Sequence, residues 1–227
     1  MTSYQFILFD LDGTLVDSSV GIYHSFQAAL SAFNRDISFD NFISNIGPPT
    51  PEIFQTLFPE LFSDQKKLKK ALRLQRFYYA ENGITESTPY PGVINLLKAL
   101  QKAGKKIGVA TSKPTVFAKK ILAYQHLLFY FDVVTGSTLN LSRTKKTDII
   151  AHVLKKFPHI PLKNIIMIGD RHHDIHGAQE NKIHSIGVTY GYGSDTEIRN
   201  ANPTYIAHNT TELLNLILNP SNIHTIP

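Results

Sequence analysis

The chain has 227 residues, 42% of them hydrophobic, a formal charge of +5 and no cysteine. That length permits one large domain or a domain with an insertion, and the apolar content is ordinary for a packed core. Disulfides and thiolate metal sites are excluded, and no run of about 18 apolar residues offers a membrane span.

The N-terminal stretch MTSYQFILFD has neither a positively charged region nor a small-residue cleavage site, so a cytoplasmic placement is expected. FILF (6–9) predicts the first buried strand. It runs directly into Asp10, Asp12, Gly13 and Thr14. Residues i and i+2 of an extended chain share a side, so two like charges meet at the strand end. Such pairs are tolerated when a cation lies between them or one stays protonated. A carboxylate pair there fits Mg²⁺, which prefers oxygen ligands. Gly13 allows the backbone to turn sharply beneath a ligand.

From about Val16 to Pro89 no buried-strand run appears. VGIYHSFQAALSAF puts Ile22, Phe26, Ala29, Leu30 and Phe33 on one helical stripe, with Asp17 or Ser18 able to cap it. NIGPPTPEIF reads either as a loop over the active site or as a proline-stiffened helix connection. DQKKLKKALRLQR carries much of the positive charge, on Lys66, Lys67, Lys69, Lys70, Arg73 and Arg76. Its apolar residues share one helical face, so the basic residues read as a solvated surface. STPYPGV (87–93) interrupts the helical pattern. The expected organisation is an α/β core of residues 1–15 and 90–227 with an all-helical cap at 16–89, hinged near 15–18 and 86–91.

The second half alternates strand and helix, as a parallel sheet covered by helices does. KIGVA (106–110), NIIMIG (164–169), SIGV (185–188) and TYIA (204–207) predict buried strands. VINLLKALQKAG closes at Gly104, a candidate C-cap, and Pro114 opens the helix PTVFAKKILAYQH. KTDIIAHVLKKF and TTELLNLIL are also helical in period. The strand KIGVATSKP ends in Thr111 and Ser112, which read equally as an anion site and as helix N-caps. Lys145 and Lys146 sit at a helix start, where the dipole disfavours cations and an anionic partner would favour them. NIIMIGD ends in Asp170, with Asp174 one turn later. Gathering Asp10, Asp12 and Asp170 at strand ends without a metal is costly. His172 and His173, adjacent on a turn, are expected to point apart and to form no zinc site. GVTYGYG (187–193) matches no nucleotide-binding pattern and reads as a tight loop, with Tyr190 and Tyr192 able to meet the cap or a ligand.

Together, DLDGTLVDS, ATSKP, the lysine near 146 and GDRHHD resemble the four signature segments of the haloacid dehalogenase superfamily, in the same order. IGPP, YYAENGI, YPGV and GVTYGYGS are similar to a capped subgroup of phosphoglycolate phosphatases and 5′-nucleotidases. The resemblance implies a Rossmann-like parallel sheet with a helical cap and a Mg²⁺-dependent phosphatase. Asp10 corresponds to its nucleophile and Asp12 to its general acid/base. Gly13, Thr111, Ser112 and Lys146 correspond to the phosphate-binding set, with Lys146 preferred over Lys145 because K-x-D-I-I matches the family's spacing. Asp10, the Asp12 backbone carbonyl and Asp170 correspond to the metal ligands, with Asp174 behind them. The expected partner is a small phosphorylated metabolite, with no nucleic acid and no membrane, acting on a monomer or weak dimer. A phosphomutase of the same superfamily, or an idle binding module, is the alternative.

Overall fold

The computed structural model describes residues 4–219. A six-stranded sheet carries β1 (Phe6–Phe9), β4 (Lys106–Pro114), β5 (Val133–Ser137), β6 (Ile165–Gly169), β7 (His184–Val188) and β8 (Tyr205–Ala207) in the order β5-β4-β1-β6-β7-β8. All five pairings are parallel. All four residues of β1 are buried, because β1 is central and pairs with β4 on one side and β6 on the other. Its consecutive apolar residues have no solvent face to alternate toward.

The strand order reverses at β1. The chain leaves β1 for β4 and β5 on one flank, then returns to build β6, β7 and β8 on the other. In open α/β sheets the crevice at such a reversal is where ligands bind. The three strands that end in Asp10, Thr111 and Asp170 are therefore immediate neighbours.

The segment between β1 and β4 forms α1 (Ser19–Ser31), α2 (Phe39–Ile43), α3 (Thr50–Leu57), α4 (Pro59–Phe62) and α5 (Gln65–Tyr78). Two very short strands, β2 (Val16–Asp17) and β3 (Thr88–Pro89), pair antiparallel where the chain leaves and re-enters the core. Ile22, Phe26, Ala29 and Leu30 are buried as the helical stripe requires. Phe33 lies beyond the helix and is only half-buried. Phe26 anchors the helical layer, with its ring stacked on Phe54 at 4.7 Å and tilted against Phe42 at 4.8 Å. Gly21 permits α1 to cross the π-helical turn Tyr79–Gly83 that ends α5, since a Cβ there would lie 2.3 Å from the Gly83 carbonyl. That crossing holds Tyr79, which is buried, over the core.

The core helices are α6 (Val93–Lys102), α7 (Thr115–Tyr124), α8 (Lys146–Leu154), α9 (His172–Glu180), α10 (Asp195–Asn200) and α11 (Thr210–Leu218). One strand lies outside the expected set, and one local expectation is corrected. Strand β5, VVTGS, carries no continuous apolar run, because it is an edge strand whose first two residues are only half-buried. Pro114 precedes α7 with extended ψ of 133° rather than opening its first turn, because β4 continues as far as Pro114.

Candidate active site

Asp10 follows the last residue of β1 and is anchored by its own N–H, which donates to the Ile168 carbonyl at 2.8 Å. The Leu11 N–H donates to Asp10 Oδ1 at 2.7 Å. Lys146 Nζ reaches the same oxygen at 2.9 Å. Among the described residues no donor reaches Asp10 Oδ2, which is left for other work.

The backbone then turns at Gly13, with φ +81°. A Cβ at that position would sit 2.2 Å from Asp170 Oδ2, so only glycine lets the turn pack against this carboxylate. Asp170 is completely buried. Thr14 Oγ1 donates to its Oδ1 at 3.1 Å, and the Tyr192 N–H donates to its Oδ2 at 2.8 Å. Asp174, also buried, faces Lys146 across 2.7 Å. Asp10, Asp170 and Asp174 each offer an oxygen within 4.8 Å of the others. One ammonium, that of Lys146, pairs with two of these buried carboxylates, and Asp170 has no ion pair of its own among the described residues. Excess buried negative charge lined only by oxygen donors is what a hard divalent cation requires.

Lys146 is the first residue of α8, and its side chain is 4% exposed. It also donates to the Ala110 carbonyl at 3.0 Å. Burial works against its charge, but Asp10 and Asp174 outweigh that and hold it above the ordinary lysine value. Lys145, the other candidate, is exposed.

Asp12 points elsewhere. Its Oδ1 accepts from the Ser18 hydroxyl, and its Oδ2 lies 3.1 Å from Lys113 Nζ. Burial, the largest influence, raises its pKa despite the Lys113 ammonium. Ser18 therefore caps no helix through its side chain; Asp17 instead accepts from the Ser19 N–H at 3.0 Å. Lys113 is itself held from above, donating to Tyr79 Oη at 2.7 Å with its Nζ 4.3 Å from that ring. The two carboxylates that looked paired in sequence thus face different cations.

Thr111 and Ser112 are buried at the end of β4 and line the cleft with Asp10 and Asp12. Neither caps α7; the Thr111 hydroxyl accepts from the Lys113 N–H at 3.2 Å. The cleft contains about 740 Å³ counting its open mouth. Its upper wall comes from the helical segment, through Ile22, Ile46, Ile53, Arg76 and Tyr79. Residues 46–49 of the IGPP loop also line it, with Thr50 and Pro51 at the start of α3.

Arg171 ties this loop to the core. Its Nη1 donates to the Ile46 carbonyl, and its Nε donates to Glu197 Oε1 at 2.9 Å. His172 Nδ1 contacts the same Glu197 oxygen at 2.7 Å. The His172 and His173 rings lie 3.8 Å apart and tilted by 47°, correcting the expectation that they diverge; both lie in the first turn of α9. Tyr190 and Tyr192 meet the turn after β1 instead of lining the cleft, through Tyr190 Oη to the Thr14 carbonyl at 3.1 Å and Tyr192 Oη to Asp17 at 3.0 Å.

The crowding of carboxylates has a thermodynamic consequence. Burial, then Asp174 and Asp10, push the Asp170 pKa from 3.8 up to about 8. An acid raised by folding favours the protonated fold, so its contribution is complete below about pH 3.8 and is lost as pH climbs to about 8. The metal-free protein should lose several kcal/mol relative to Asp170→Asn across that window. Calorimetry of both proteins between pH 5 and 8, with and without divalent cation, checks this. The melting-temperature difference should grow by roughly 10 °C and shrink when cation is added. A constant difference would mean that the cluster is not electrostatically frustrated.

Residues 7–188 match the family model described as haloacid dehalogenase-like hydrolase. The chain belongs to that family. Among curated relatives, a 5′-nucleotidase of Pseudomonas aeruginosa is 37% identical, over 89% of this hydrolase and 90% of the relative. A phosphoglycolate phosphatase of Photobacterium profundum is 30% identical over 94% and 95%. The tyrosine-protein kinase PtkA of Mycobacterium tuberculosis is 32% identical over 92% of this hydrolase and 70% of its own length. A predicted phosphatase from Clostridium acetobutylicum, solved by crystallography, superposes with a TM-score of 0.90 at 39% identity, covering 95% and 99% of the two chains. The chain is accordingly a hydrolase of this family, with the parallel sheet its motifs implied and a helical segment inserted after β1.

Thr14, Lys113 and Arg171 lie inside the recognised segments but received no role from sequence, and Ser18 received only that of a helix cap. Their spacing signalled a motif; only their partners reveal what they hold.

Proposed function

We propose that this hydrolase cleaves a small organic phosphomonoester through an aspartyl phosphate on Asp10, with Mg²⁺ as cofactor. The observation that carries the reading is the cluster of Asp10, Asp170 and Asp174 around Lys146 at adjacent strand ends, with Asp12 separately held at the cleft.

Asp10, Asp170 and Asp174 offer the carboxylate oxygens suited to Mg²⁺, which when bound neutralises charge on the transferring phosphoryl group. The Asp10 oxygen without a protein donor attacks phosphorus, and the bond to the leaving oxygen breaks. The leaving oxygen takes the proton of Asp12, whose burial favours carrying one. Asp12 then accepts a proton from water, whose oxygen attacks the phosphoryl group and frees Asp10 and inorganic phosphate. Lys146 fixes Asp10 and balances its charge throughout. Thr111 and the Ser112 N–H bind the phosphoryl oxygens. The segment 16–89 acts as a cap that closes the cleft over substrate and excludes water.

Phosphate release from a metabolite panel tests this. Activity should require Mg²⁺ and fall by about 100-fold or more in excess EDTA. A ³²P-labelled substrate should deliver its label to inorganic phosphate. Activity indifferent to EDTA, or label returned to an isomerised sugar phosphate, would overturn the reading.

A further inference from the structure

We propose that Arg76 is a specificity-determining residue that binds a second anionic group, a carboxylate or a phosphate, on the leaving part of the substrate. This deepens the function proposed above and rests on it for the identity of the reacting phosphate.

The buried cations around the cleft are paired with acids. Lys146 is paired with Asp10 and Asp174, Lys113 with Asp12, and Arg171 with Glu197. Each of these buried or half-buried charges has its carboxylate. Arg76 does not. It lines the cleft that Asp10 and Asp12 also line, and it is half-buried. Burial alone lowers its pKa, with no acidic neighbour acting in the other direction. Among the described residues no hydrogen bond or ion pair engages its guanidinium. A guanidinium withdrawn from water without a partner carries an uncompensated cost.

Its position on α5 separates it from the other basic residues of that helix. Lys66, Lys67, Lys69, Lys70 and Arg73 are all exposed, as the solvated-face reading expects. Arg76 lies one residue past Gln75 and three before Tyr79, both buried and both lining the cleft. The expectation that Arg76 belongs to the solvated face is therefore corrected. The helix turns this one basic residue inward, because its last turn crosses the mouth of the cleft.

The remaining wall fits the same division of labour. Thr111 and Ser112 line the phosphate end of the cleft, with Lys146 buried against Asp10. The opposite wall is largely apolar, with Ile22, Ile46 and Ile53. A leaving group that is carbon in its middle and anionic at its far end would satisfy both. The planar fork of arginine matches the paired oxygens of a carboxylate or phosphate.

The decisive quantity is a selectivity. Three phosphomonoesters of matched length are compared, ending in a carboxylate, a phosphate or a neutral amide. For the native protein kcat/KM should favour the anionic esters over the amide. Arg76→Met should reduce that ratio by on the order of 10- to 100-fold, mostly through KM, and Arg76→Lys should recover part of it. Arg76→Gln, run in parallel, guards against a packing artefact peculiar to methionine. Whether the carboxylate or the phosphate ester loses more identifies the group that is read. Calorimetric binding of phosphonate analogues with and without a terminal carboxylate to Asp10→Asn, with and without Arg76→Met, reads the same preference without turnover. Failure of hydrolysis in every assay, with the binding preference intact, would discard the phosphatase reading and keep the role of Arg76. An anion-to-amide ratio unchanged by Arg76→Met would overturn the proposal.

Discussion

Asp10→Asn is expected to reduce phosphate release by on the order of 1,000-fold or more while leaving the fold intact. The amide keeps the shape of the side chain and can still accept from the Leu11 N–H, now 2.7 Å from Asp10 Oδ1. It lacks the negative charge that makes the other oxygen a nucleophile. Stability should move the opposite way. Asp10 is one of three buried carboxylates within 4.8 Å of each other, and Lys146 pairs with only two of them. Removing one of them relieves repulsion that the chain retains for the sake of chemistry. The metal-free variant should therefore melt no lower than the parent, and the parent's gain on adding Mg²⁺ should diminish. Steady-state phosphate release and thermal melts at fixed pH measure both. Retained turnover would remove Asp10 from the nucleophile's role, and with it the aspartyl-phosphate route.

Lys146→Met is expected to damage stability and activity together. Its ammonium lies 2.9 Å from Asp10 and 2.7 Å from Asp174, with a third contact to the Ala110 carbonyl at 3.0 Å. Truncating one partner of a buried ion pair strands the others, at a cost of about 3–5 kcal/mol. Two carboxylates would be stranded here. Activity should fall by about 100-fold or more, because charge developing on the phosphoryl group loses a preorganised counter-charge. Added Mg²⁺ should recover part of the stability and little of the rate. Lys145→Met is the control. Lys145 is exposed just before α8 and pairs with none of the site's carboxylates, so its loss should change stability by less than about 0.5 kcal/mol. Chemical denaturation and phosphate release on the two variants separate the positions. Equal effects at 145 and 146 would show that the helix start matters only as a patch of charge.

These two lysines also show how far reading residues in order can go. Both stand at the helix start, and spacing favours the second. The burial that makes Lys146 a counter-ion follows from α8 packing beside α9 and β4, a tertiary fact. Asp10 and Asp12 show the opposite limit. Their i, i+2 spacing reads as a shared face, yet β1 ends at Phe9 and the turn at Gly13 sends Asp10 to Lys146 and Asp12 to Lys113. Arg76 is the sharpest case. Its local sequence is that of a charged surface helix, and nothing within ten residues marks it as different.

Legible without coordinates are the central strands β1, β4, β6 and β7, the helical stripe of α1 and the four chemical segments. Each of these is written in short-range periodicity or contiguous residue types, which local sterics and solvation enforce. Partnership is settled by the fold. Ser18 and Lys113 hold Asp12, Thr14 and Tyr192 hold Asp170, Arg171 reaches the cap loop, and Arg76 is left without an acid. Partnership depends on the strand reversal at β1 and on how the helical segment lies across it. A charge's meaning depends on what surrounds it within a few ångströms, and most of those neighbours are far away in the chain.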